Sequence, residues 1–258
     1  MVGMSENLFL KRFPEEKALW TINQQRVEGF LKFTKKAKNE GISSIDMKSA
    51  KQIASLNALG FITVDSQEGI INRTENPKYV YGEKKGKPIV NEEGSPAVLY
   101  KDSERAYCDG FIRTDLLDSV EAELKKCNPD SIVLRYPREG DRINLTIEYL
   151  KYKDGSEKTE YFTNSPDVSA DEIKNYAKDI LEDNGYYNGP PLEKIPLDLS
   201  KWTMIIAIDM EYGHHALVKD GLFTCLEHAL TASLKGKGGS RKRRTMKKRV
   251  KSLRNNKA

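Results

Sequence analysis

No stretch of this chain approaches the 18 or so apolar residues that a membrane-crossing helix needs, so a spanning protein is not expected. Its opening residues hold no apolar run long enough for a signal peptide, and an intracellular, non-secreted protein is expected. Three cysteines, Cys108, Cys127 and Cys225, stand far apart without CxxC spacing, which argues against a zinc site and against a disulfide framework. Three histidines leave little for imidazole metal sites, and no metal or cofactor is expected. Neither GxGxxG after a strand nor GxxxxGK[ST] occurs, so both nucleotide-binding fingerprints are missing. Asn72-Arg-Thr and Asn144-Leu-Thr match the glycosylation pattern, but without secretion they are chance matches.

Acid is also missing from one place. Residues 235–258 carry twelve Lys or Arg and no Asp or Glu. Residues 1–234 keep the remaining 31 basic residues against all 38 acids, so a body near −7 is joined to a segment of +12. The net charge of +5 describes neither part. Two units are expected: a globular body over residues 5–234 and a disordered polybasic tail over 235–258. The tail's candidate phosphate contacts are Arg241, Lys242, Arg243, Arg244, Lys247, Lys248, Arg249 and Lys251. It has no aromatic residue to stack on bases, so contact with DNA or RNA backbone without sequence preference is expected. Basic clusters of this kind also serve as nuclear import signals, and the sequence does not separate the two roles.

Periodicity predicts helices over about 16–38, 47–59, 114–127, 169–184 and 222–234. Short strands are expected at 61–64, 106–112 and 132–136, followed by a hairpin around 153–157 with one wet face. The most apolar strand, 204–208, is expected to be central, and residues 70–100 to form a long irregular connection. The fold class is α/β or α+β: a mixed sheet with a β-hairpin and helices packed on it.

Ile206-Ala-Ile-Asp-Met-Glu-Tyr-Gly213 places Asp209 and Glu211 two apart at the end of an apolar strand, where two carboxylates can share a divalent cation. The pattern resembles the first motif of the 3′–5′ exonuclease family. That family's further acids follow over a long stretch, whereas here only Asp220 and Glu227 do. Asp65 and Asp109, each at a strand or turn edge, are candidate helpers in a metal-dependent nuclease or phosphodiesterase. Their alternative is turn capping. His214 and His215 are candidates for metal binding or proton transfer, or else for a solvated turn.

Three segments carry a family resemblance: residues 56–69, 104–111, and 206–213 with Asp220-Gly-Leu-Phe223. Together they are similar to a protein family of large DNA viruses of protists and algae, with scattered bacterial and phage members. The Gly-Gly-Ser-Arg-Lys-Arg-Arg stretch also resembles basic tails on proteins of those viruses. The resemblance implies a viral origin and work in the host cytoplasm or nucleus, at the viral factory or in the virion. It transfers no catalytic residue.

Overall fold

The computed structural model describes residues 7–39, 47–75, 87–138, 140–164 and 199–236, with Glu172 besides. Glu172 apart, the expected helix over 169–184 lies outside the described residues, as do the basic residues from Lys237 onward.

Helix α1 (Leu8–Arg12) is capped by Asn7, whose side chain accepts from the amides of Phe9 and Leu10. A 3₁₀ turn at Pro14–Glu16 leads into α2 (Lys17–Asn39), and α3 (Met47–Ala58) follows. Gly60, at φ +87°, then turns the chain under the Phe9 ring. Strands β1 (Ile62–Glu68) and β2 (Ile71–Glu75) come next, then the 17-residue β3 (Ala97–Arg113) and helix α4 (Thr114–Cys127). Strands β4 (Ser131–Tyr136), β5 (Ile143–Tyr152), β6 (Glu157–Asn164) and β7 (Trp202–Tyr212) precede the last described helix, α5 (Leu222–Lys235).

The helices pack on a curled sheet of seven strands, and the expected fold class holds. Among the described residues every strand pairing is antiparallel, so the architecture is α+β and the mixed sheet gives way to an antiparallel one. The order is β4-β7-β3-β5-β6, with β1 and β2 both on the other edge of β3. Strand β3 organises the sheet. Its first half pairs with β2 and β5, and its second half with β1 and β7.

The predicted irregular stretch over 70–100 is corrected at both ends, by β2 and by the start of β3. The hairpin is β5–β6, as alternation predicts. Its single wet face is not found on β6, where all residues over 157–163 are exposed. Strand β7 is central, flanked by β4 and β3, and buries Ile205, Ile206, Ala207 and Ile208 almost completely. One apolar cluster joins these residues to Phe9 of α1, Leu56 of α3, Leu116 and Val120 of α4, and Phe223 and Leu230 of α5.

Helix α4 starts without a side-chain cap. Its preceding residue, Arg113, is buried and pairs with Glu16, with Asp115 at 3.2 Å and with Glu15 at 3.4 Å. Its guanidinium also stacks on the Phe13 ring at 4.5 Å. The expected lack of disulfides is corrected as well, since Cys127 and Cys225 are joined, tying the end of α4 to the first turn of α5. Only Cys108 is free, and it is buried. Among the described residues no helix is long and apolar enough to cross a membrane.

Candidate functional site

The end of β7 builds the most constrained polar cluster. Asp209 is fully buried because β7 is covered by strands on both sides and by the α4–α5 pair on one face. Its carboxylate is fully engaged. Oδ1 accepts from the amide of Glu211 at 3.0 Å, and Oδ2 accepts from Asn128 Nδ2 at 2.6 Å. His214 Nδ1 lies 2.6 Å from the same Oδ2.

Asn128 also donates to the carbonyl of Asp220 at 3.1 Å, so one amide spans the carboxylate and the loop before α5. The Cys127–Cys225 bridge stands beside this junction, one link from Asn128 in sequence. Gly213, at φ +78°, turns the chain out of β7 so that His214 can fold back on Asp209. Gly69, at φ +73°, lets the β1–β2 turn pass under the same loop, because a Cβ there would stand 2.7 Å from the carbonyl oxygen of His214.

With Nδ1 directed at a carboxylate, the ring of His214 presents Nε2 outward, 3.5 Å from Asp220 Oδ1. Partial burial pulls its pKa down, but the hydrogen bond and charge of Asp209, and then of Asp220, outweigh burial and hold it above the ordinary histidine value. The solvated-turn alternative therefore does not describe His214, whose side chain is 21% exposed. The adjacent His215 has a different bond. Its Nδ1 accepts from the amide of Leu217 at 3.2 Å, which leaves the proton on Nε2 to face Glu68 at 3.2 Å. A carboxylate–imidazole pair of the His214 kind can move a proton. In the bonds described, Nε2 meets only the Asp220 carboxylate and no hydroxyl or thiol nucleophile.

A second acidic pair lies elsewhere. Between Thr63 and Ser66 the β1–β3 register slips, so Val64 and Asp65 oppose the single residue Asp109. This bulge brings the amide of Asp65 to 2.5 Å from Asp109 Oδ1. Tyr107 donates its hydroxyl to Asp65 Oδ2 at 2.7 Å, and the amide of Ser66 donates to Oδ1 at 2.7 Å. Burial pushes the Asp109 carboxyl up to about 7, against the relief given by the Asp65 amide. Burial likewise raises the Cys108 thiol, reinforced by Asp109 and Asp65, and raises the Tyr107 phenol, reinforced by Asp65.

The four acids singled out in the sequence therefore divide. Asp65 and Asp109 meet at the bulge. Asp209 alternates to the opposite sheet face, in line with Ala207 and Cys108, whereas Asp109 is in line with Ile206. Glu211 is exposed and contributes its amide to Asp209, not a shared carboxylate. Among the described residues no group of three or more His, Cys, Asp or Glu side chains gathers to hold a metal ion. Two participants were not visible in the sequence. Asn128 stands beside a helix-ending proline with no polar pattern, and Tyr107 reaches Asp65 only because of the bulge. Arg241, Lys242, Arg243, Arg244, Lys247, Lys248, Arg249 and Lys251 are outside the described residues. Compared with models of known protein families and with curated proteins, the chain matches none.

Proposed function

We propose that this chain is an accessory protein of a large DNA virus that associates with DNA or RNA through its basic segment, residues 235–258, without sequence preference. One observation carries the nucleic-acid contact: twelve basic residues without an acid follow a body in which acids outnumber bases by 38 to 31, while the viral setting rests on the segment resemblance alone. Phosphate contact by Lys and Arg releases counterions and is insensitive to base identity. Helix α5 closes at Lys235 with Gly236 at its C-cap, so eleven of the twelve basic residues follow the last described helix.

The rival reading, a metal-dependent phosphodiesterase, asks Asp209, Glu211, Asp65 and Asp109 to share one site, and their separation does not favour it. A third role, a minor virion component, rests on the same basic segment, and detection of the chain in purified particles would support it.

The test compares the full chain with a variant carrying Gln at Arg241, Lys242, Arg243, Arg244, Lys247, Lys248, Arg249 and Lys251. Duplex and single-strand binding are measured across a salt series. With six to eight phosphate contacts, log K for the native chain should fall against log salt with a slope of roughly −5 to −7. The Gln variant should lose most of that slope. Equal affinity of the two chains would remove the proposal.

A further inference from the structure

Helices α2 and α3 stand away from β1 around a cavity of about 320 Å³, with Phe223 of α5 on its wall. Two polar side chains at its floor are nearly inaccessible: Arg26 is 8% exposed and Ser49 is 1% exposed. Arg26 is held by neutral acceptors only. Its Nη2 donates to the carbonyl of Thr63 at 2.6 Å and to Asn57 Oδ1 at 3.4 Å, and its Nε donates to Asn23 Oδ1 at 3.3 Å. Asn57 is itself fixed, receiving Asn23 Nδ2 at 2.9 Å and donating to Thr63 Oγ1 at 2.8 Å. The guanidinium is thus positioned by an amide network, yet among the described residues no carboxylate pairs with it and no acceptor meets its Nη1. Ser49 Oγ has no hydrogen-bond partner either.

A buried cation without a counter-ion and a buried hydroxyl without a partner each cost free energy, unless something fills the space they face. Burial lowers the Arg26 pKa to about 10, which still leaves it protonated at neutral pH.

We propose that this cavity binds a small organic monocarboxylate, whose carboxylate meets Arg26 and Ser49 and whose apolar body rests on Val27, Phe30, Ile53 and Phe223. Burial selects the class. Arg26 is the one buried charge in the lining and balances a single negative charge, while the exposed Asp65 and half-buried Glu68, nearer solvent, oppose a dianion such as phosphate. Half the wall is apolar side chain, which rewards a hydrocarbon body over a sugar or a bare ion. The unengaged Nη1 of Arg26 offers a carboxylate oxygen a charge-assisted hydrogen bond. This site is independent of the basic segment, so it stands or falls apart from nucleic-acid binding.

Phenylacetate, its uncharged amide phenylacetamide, and inorganic phosphate are titrated into the full chain. Thermal midpoint and backbone amide shifts in α2, α3 and β1 are followed. Phenylacetate at millimolar concentration should raise the midpoint by mass action and shift those amides, while the other two should do neither. Arg26→Gln should weaken phenylacetate binding by at least about tenfold. Should that variant fold poorly, Ile53→Phe, which fills the cavity and leaves Arg26 in place, should abolish the response, and Ser49→Ala should weaken it. Equal response to acid and amide, no response to phenylacetate, or binding that survives Ile53→Phe would each overturn the proposal.

Discussion

His214 Nδ1 lies 2.6 Å from the Oδ2 atom of Asp209, a carboxylate with no exposure of its own. The pair couples a loop to the core: the imidazole sits on the turn that leaves β7, and the carboxylate belongs to the central strand. Because the Asp209 interaction raises the His214 pKa above 6.5, its contribution to stability is complete below about pH 6.5. It is then lost as pH rises through the folded-state value. Asp209→Asn should return the His214 titration, followed by imidazole NMR, to or below the ordinary value. It should also destabilise the fold by about 1–3 kcal/mol at pH 6, because a charge-assisted bond becomes a neutral one. An unchanged His214 titration would show that the pair does not form in solution.

Asp109 gives a pH dependence of its own. Its carboxyl rises from 3.8 to about 7, so between those values the folded state holds a proton that the unfolded chain has released. Stability should therefore fall as pH rises from about 4 to 7 and level off above. Asp109→Asn keeps an oxygen to receive the Asp65 amide and removes the ionisation. The variant should match the native chain near pH 4 and exceed it at pH 8 by up to about 4 kcal/mol. Urea denaturation at both pH values checks this, and equal stability at pH 8 would refute it.

The same pair shows where legibility in the sequence stops. Helical spacing in 16–38 and 114–127 and alternation around 153–157 are local signals, and they mark α2, α4 and the β5–β6 hairpin well. Strand β3 is not local in this sense. Lys101, Asp102, Glu104 and Arg105 interrupt its apolar pattern, because a strand that pairs with four others meets a different environment along each half. The meeting of Asp65 with Asp109 depends on one slipped residue in β1, which no composition rule announces. Asp209 stood out for its place on an apolar strand, yet its partner is a histidine five residues on rather than a metal-sharing acid. The Cys127–Cys225 link closes 98 residues of sequence, so spacing rules tuned to short motifs pass over it.

Arg113 anchors the α1 end of the chain to the junction of β3 and α4. Glu16 is buried against it, with Asp115 and Glu15 at the margins. Arg113→Met keeps an apolar stem and removes the charged guanidinium that stacks on Phe13. It should cost about 3–5 kcal/mol, because Glu16 is left as a buried, unpaired carboxylate. The double variant with Glu16→Gln should recover part of that loss. Chemical denaturation of the single and double variants measures both, and no recovery in the double variant would mean the loss arises from packing alone.

The Cys127–Cys225 bridge should act on both stability and the His214 cluster. By loop-closure entropy, a bridge spanning 98 residues is worth about 4–5 kcal/mol against the unfolded chain, and strain commonly reduces that. Reduction by a dithiol transfers two electrons to the bridge, yields two thiols and leaves the reagent as a cyclic disulfide. Asn128, next to Cys127, and Asp220, shortly before Cys225, are the two groups that frame Asp209 and His214. Loosening the α4–α5 junction should therefore move the His214 titration as well as lower the denaturation midpoint. Cys127→Ser with Cys225→Ser should reproduce both effects without reductant and should make the protein insensitive to it. If reduction lowers the midpoint but leaves the His214 titration in place, the bridge stabilises the fold without shaping the cluster.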